Sequence, residues 1–310
     1  MNFGYQMLGF GGGEDADKSF ILVMATTGTA ETVTIPCQNV GTFDATIDWG
    51  DGASSTITTF NDADLAHEYA DIADHTITIT GTFPNIYFND TGDKLKLKKV
   101  LNFGDTGLIT MGSSFFGCSN LTEVLSTHTN MSGITTFSQC FRACASLTTI
   151  ESGGWNLSSV TTFQDLAVSC GNLTSIDVTN WDVSAVTNMR SMFNACTSLA
   201  SIDVANWDVS SVTDMVNTFR GMTAITDIAI DGWDVSGVTA ASLGAQTFML
   251  NTSITTATYD AALIHYDSLT VNSGVEWGFG ANQYSAGAAA TARQSLIDND
   301  TWTINDGGQV

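Results

Sequence analysis

The chain has no run approaching the ~20 consecutive apolar residues that a membrane-spanning helix needs, so membrane insertion is not expected. Positive charge is scarce as well: 9 Lys+Arg stand against 32 Asp+Glu, a formal net charge of −23 over 310 residues. Nucleic acid, whose phosphates need basic partners, is thereby excluded as a ligand, and an anionic membrane surface is excluded for the same reason. Proline is nearly missing, with 2 residues against 29 glycines, and together with abundant Ser and Thr this points to a turn-rich, β-containing architecture. The opening stretch MNFGYQMLGFGGGEDADK has neither a basic start nor a continuous apolar core. It is not read as a secretory signal peptide; residues 1–18 are expected to be a short apolar tip and a glycine tether. Catalytic signatures are missing too. There is no Gly-x-Ser-x-Gly, phosphate loop or dinucleotide fingerprint. The four histidines, His67, His75, His128 and His265, fall in different units without metal-ligand spacing. No enzymatic activity is expected.

What the chain does have is a period. NWDVS occurs twice, and Trp155, Trp181, Trp207 and Trp233 follow one another at intervals of 26 residues. Cys118, Cys144, Cys170 and Cys196 keep the same interval, and so do rows of Val, Met, Phe, Leu and Ile between them. Copies begin at Phe103, Thr129, Trp155, Trp181, Trp207 and Trp233, and the sixth realigns only after a three-residue insertion. A period of this length marks stacked supersecondary units, each too small to bury its own apolar edge. Within a copy, Val186, Met189, Phe193 and Cys196 follow helical spacing with Thr187 placed as a cap. Leu199, Ile202 and Val204 then read as a short strand, with Ser201, Asp203 and Ala205 facing the other way. One helix and one strand per coil is therefore the expectation. The tryptophans are read as corner-filling core rather than as a stacking surface for sugars. The cysteine row, which continues as Met222, is read as a packing ladder rather than as disulfides.

Two outward rows offer binding chemistry. One follows the tryptophans: Asn130, Asn156, Asp182, Asp208 and Asp234. The other lies on the outer strand face: Glu151, Asp177 and Asp203, flanked by Ser175 and Ser201. Stacked carboxylates about 5 Å apart repel by roughly 0.8 kcal/mol in water. They serve either as turn supports and a solvated face, or as a site for divalent cations or hydroxyl-rich glycans. Asp48 and Asp51 in DWGDG could in the same way ligate calcium, which favours hard oxygen ligands, or simply hold a tight turn. No other cofactor is expected.

Upstream of the repeats, KSFILVMATT, ETVTIPC, FDATIDWGDG, STITTF and HTITITG are short β-type runs separated by turn residues, and they read as a β-sandwich. The segment from Ile47 to Gly81 resembles the PKD domain, an immunoglobulin-like module of surface proteins, through Trp49, Gly50, Asp51, Gly52, His67 and Tyr69. The repeat itself, WDVSAVTNMRSMFNACTSLASIDVANWDVS, resembles the BspA-like 26-residue leucine-rich repeat of bacterial surface proteins. That resemblance implies a right-handed α/β solenoid used for adhesion or display. The ending NQYSAGAAATARQSLIDNDTWTINDGG resembles the ends of bacteriophage structural proteins that carry such repeats.

The expected fold is multidomain: a tether at 1–18, an all-β immunoglobulin-like sandwich at 19–92, a leucine-rich-repeat solenoid at 93–258 and a helical capping segment at 259–310. The resemblances imply a virion surface protein of a bacteriophage, either a tail fibre or a capsid decoration. It would be anchored to other virion proteins through its N-terminal segment and would present the repeats to a host-surface glycan or protein. A bacterial cell-surface adhesin is the alternative. Homo-oligomerisation is compatible with either, although no long heptad stem is present to force a trimer.

Overall fold

A computed structural model describes residues 18–125, 131–239 and 247–310. The expected tether and the copy start at Thr129, with Asn130 and His128, lie outside these residues apart from Lys18. The N-terminal β-type runs form strands: β1 (Phe20–Ala25), β2 (Glu31–Thr34), β3 (Asp44–Asp48), β4 (Ser54–Ile57), β5 (Ala66–Tyr69) and β6 (Asp74–Thr82). Their alternation buries Ala45 and Ile47 of β3, and Ile77 and Ile79 of β6, on one side. The intervening Thr46, Thr76 and Thr80 remain exposed, as a half-buried sheet requires. KLKLKKV supplies β7 (Leu97–Asn102), and three short strands follow inside the repeats: β8 (Glu123–Leu125), β9 (Thr149–Glu151) and β10 (Ser175–Ile176).

β2 and β5 pair antiparallel as a separate two-stranded sheet, and the other eight strands belong to one sheet. Its order is β10-β9-β8-β7-β1-β6-β3-β4, so β1 pairs antiparallel with β6 on one side and with β7 on the other. From β7 onward the pairing is parallel, with Val100, Val124, Ile150 and Ile176 in one register row. Four of the N-terminal strands, β1, β3, β4 and β6, therefore share an uninterrupted eight-stranded sheet with β7 and the strands of the repeats.

The expected α/β solenoid is not what forms. The described part of the repeats contains no α-helix. Residues 186–196, read as helical from spacing, are a run of turns, and the hydrogen bonds give the reason. In a helix each N–H bonds the carbonyl four residues back within its own turn. Here the amides of Met189, Ser191, Phe193 and Ala195 donate across to Asp214, Val216, Thr218 and Arg220 of the next repeat, at 2.8–2.9 Å. Only three-residue turn bonds close locally, such as Met192 N to Met189 O and Cys196 N to Phe193 O. Ser191 and Ala195 sit at φ 54° and 63°, a left-handed conformation that no α-helix contains. Thr187 is not a helix cap; its hydroxyl donates to the carbonyl of Thr161. The strand expected at Leu199–Val204 is also absent. The carboxylates of Asp177 and Asp203 bond the amides of Thr179 and Ala205, a local turn that competes with extended pairing.

Side chains one period apart nevertheless lie against each other. The indoles of Trp155, Trp181, Trp207 and Trp233 stack at 6.1–6.2 Å between centroids and are buried. Phe115 and Phe141 stack at 5.6 Å, and Phe193 and Phe219 at 6.3 Å. The C-terminal segment is not a helical cap. It holds the only two α-helices among the described residues, α1 (Thr256–Asp267) and α2 (Ala288–Asp300). With them runs a parallel strand pair, β11 (Glu276–Gly278) with β12 (Thr303–Asn305). Met249 N donates to Gly278 O and Phe279 N to Asn305 O. The cross-repeat bonding thus continues into this segment through strands rather than ending against helices. No helix among the described residues is long and apolar enough to cross a membrane.

Candidate functional site: the outward rows of the repeats

The turn row is held by its own backbone. Asp182 Oδ1 accepts from the amide and hydroxyl of Ser184 at 3.1 and 2.7 Å, and Asp208 Oδ1 does the same with Ser210 at 3.1 and 2.6 Å. Asn156 bonds Ser158 in the same way, and Asp234 accepts the amide of Ser236 at 3.0 Å. Hydrogen bonds from Ser236, side chain first, hold the Asp234 carboxyl below its usual range. On the strand face Glu151, Ser175, Asp177, Ser201 and Asp203 are all exposed. Asp177 and Asp203 each direct one oxygen to an amide two residues on. The structure thus gives the turn row, and Asp177 and Asp203 of the strand-face row, a turn-supporting task.

Asp48 and Asp51 are engaged in the same manner. Asp48 Oδ1 accepts the Gly50 amide at 2.9 Å, and Asp51 Oδ1 the Ala53 amide at 3.0 Å. The other oxygen of Asp51 lies 2.7 Å from His67 Nε2, and this contact is the main reason its carboxyl titrates below the ordinary aspartate range. His67 stacks on Trp49 at 5.0 Å, and Tyr69 donates to the Trp49 carbonyl at 2.7 Å. The DWGDG turn and the His-x-Tyr strand are thereby locked together. Among the described residues no group of three or more His, Cys, Asp or Glu side chains converges as a metal site would require.

The periodic large residues face inward. Trp181, Trp207 and Trp233 donate Nε1 to the carbonyls of Ser152, Val178 and Val204 at 3.1–3.3 Å. With their ring faces against neighbouring indoles, they cannot offer a platform to a sugar. Cys118, Cys144, Cys170 and Cys196 are free thiols, buried in the core. Cys144, Cys170 and Cys196 donate to the carbonyls of Phe115, Phe141 and Ala167 at 3.0–3.2 Å. Burial pushes the Cys170 thiol up to about 12 and raises the others in the row as well.

A set of residues that spacing did not single out lines the outer side of the cross-repeat ladder. Arg142 pairs with Asp165 at 2.9 Å and Arg190 with Asp214 at 3.0 Å. Gln139, Gln164, Asn188 and Asn194 lie among them, half-buried. The signal that could have found them is charge: three of the four arginines of this acidic chain, Arg142, Arg190 and Arg220, fall within residues 142–220. Two clefts accompany the repeats. One, about 620 Å³, lies where the end of β6 meets residues 105–107, and is lined by hydroxyls with Lys18 and Asp105. The other, about 250 Å³, lies between Leu250, Glu276 and Asn305. Neither gathers a nucleophile, base and oxyanion donor within reach of one another.

A family model described as "Mycoplasma protein of unknown function, DUF285" matches residues 85–175, 109–233 and 163–260, together more than half of the chain. No curated protein and no solved structure matches it.

Proposed function

The chain belongs to the DUF285 family, and on that premise we propose that it is a non-enzymatic surface protein that displays its repeats for adhesion. One observation carries this reading: the large periodic side chains are spent on packing neighbours, while small polar residues with the same period are turned outward. Such an object repeats a weak surface rather than concentrating one strong site, and repeated weak contacts gain through effective concentration. The reading places it on a bacteriophage particle, as a fibre or capsid decoration held by its N-terminal segment. A bacterial cell surface is the second reading, favoured by the family's description as Mycoplasma proteins. The acidic surface suits either setting, because it keeps neighbouring copies from associating non-specifically.

The test has two parts. Fluorescently labelled protein should bind intact bacterial cells of some species and wash off slowly, and antibody-gold should find it on purified particles or on cells. Binding to no cell of a broad panel, combined with labelling confined to the cell interior, would refute display.

A further inference from the structure

Resting on the adhesion reading, we propose that the binding surface is the arginine–amide side of the cross-repeat ladder, and that its ligand is an uncharged, hydroxyl-rich glycan chain. The acidic rows are not that surface. The ladder is regular: from Phe137 to Ala195 every second amide in three successive segments donates to the next repeat, at 2.8–3.1 Å. Backbone rungs of this kind lie about 5 Å apart and hold their side chains in fixed relation to one another. On this side the side chains are also cross-linked between repeats. Ser113 donates to Gln139 at 3.3 Å, Arg142 to Asp165 at 2.9 Å, Asn188 to Gln164 at 3.4 Å and Arg190 to Asp214 at 3.0 Å. Planar amide and guanidinium groups are thus presented already oriented, which lowers the ordering cost of binding.

The chemistry selects the ligand. Amides offer donors and acceptors together, and guanidinium offers a planar fork of donors, a set that matches neighbouring hydroxyls, which both donate and accept. Charge selects it further. Arg142, Arg190 and Arg220 are offset on this side by Asp165 and Asp214, so it is near neutral, within a chain of −23. A polyanion would gain little from two guanidiniums already held by aspartates, and the rest of the surface would repel it. Arg220, exposed and without an ion pair among the described residues, is the donor most open to a ligand. Next to it, at Leu250, the row gives way to Gly278 and Gly280, where the cleft of about 250 Å³ opens between Leu250, Glu276 and Asn305. A chain lying along the ladder would end there.

The experiment is an array of neutral and acidic glycans probed with the full chain at low and high salt. Expected are neutral oligosaccharides bound with little salt dependence. Arg220→Ala should weaken binding by about tenfold, the loss of one charge-assisted hydrogen bond, and Gln164→Ala with Asn194→Ala by a similar factor. Asp182→Asn and Asp208→Asn should leave it unchanged. Near-UV circular dichroism of each variant separates lost contacts from lost fold, and Arg220→Lys, which keeps the charge but not the fork, should recover only part of the affinity. A preference for acidic glycans, binding that falls steeply with salt, or sensitivity to the Asp208 change would overturn the assignment. Cells bound with no glycan recognised would overturn it while leaving adhesion standing; failure to bind any cell would remove adhesion itself.

Discussion

Replacing Ala195 with glycine gives a result whose sign depends on whether this segment is a turn or a helix. Ala195 has φ 63°, and its amide donates to Arg220 of the next repeat at 2.8 Å. A left-handed non-glycine residue costs roughly 1–2 kcal/mol, which glycine would remove. Against this stands the greater freedom of glycine in the unfolded chain, roughly 0.4–1 kcal/mol. A net stabilisation of roughly 0.5–1 kcal/mol is left from these terms. Equivalent positions agree: Gly117, three periods before Ala195, and Gly221, one period after it, already occupy this row at φ 79° and 73°. Had residues 186–196 been helical, the same change would destabilise by about 1 kcal/mol. Urea unfolding followed by tryptophan fluorescence measures the difference. A lower midpoint with unchanged slope for Ala195→Gly would refute the turn assignment and the cross-repeat ladder with it.

Three further outcomes follow from the packing and the ionisations. Trp181→Ala removes a buried indole stacked on both sides and bonded to Ser152, and should cost about 3–5 kcal/mol in denaturant unfolding; a loss under about 1 kcal/mol would contradict the stack. Hydrogen bonds from Thr27 and Gly28, with Lys96 beside them, hold Glu31 at about 2 against a reference of 4.5. Its contribution is therefore complete above pH 4.5 and lost as pH falls toward about 2. Melting curves of Glu31→Gln and the parent protein should differ at neutral pH and converge at the acid end. Cys118, Cys140, Cys144, Cys170 and Cys196 are buried thiols; they should resist alkylation in the native protein and react together on unfolding, as counted by mass spectrometry.

The period was open to view in the sequence because identical side chains recur wherever a repeat touches its neighbour, and Trp181 or Leu199 can be recognised without knowing the backbone. The backbone itself was hidden. Val186, Met189, Phe193 and Cys196 share one side at three- and four-residue spacing in a helix, and equally in a chain of turns whose amides bond across repeats. Side-chain periodicity cannot separate the two. Gly117 and Gly221 could have, since glycine twice in one row marks a left-handed position, but Ala143, Ser169 and Ala195 between them masked it. The acidic rows were legible as rows, and their turn bonds to Ser184 and Ser210 follow from Asp two residues before Ser. Arg142 and Arg220 occupy one position of the repeat, but Val168 and Asn194 stand between them there, and Arg190 occupies a different position, so the period marks them only faintly and the ladder brings them to one side.

The shared sheet has a consequence for how the protein unfolds. Leu22 of β1 is fully buried and pairs with Ile77 of β6 and Val100 of β7, so it belongs equally to the N-terminal strands and to the first strand of the repeats. Removing its side chain with Leu22→Ala should cost about 2–5 kcal/mol. Two independent units would confine that loss to the N-terminal strands, because a repeat region that folds by itself has no need of β1. Joined through β1, both should suffer. Hydrogen exchange distinguishes these cases: amides of β3 and β6, and those of Phe163, Met189 and Phe193 in the ladder, should all exchange faster by a common factor in the variant. Faster exchange in β3 and β6 alone would mean that β1 merely abuts the repeats, and that the eight-stranded sheet does not unfold as one.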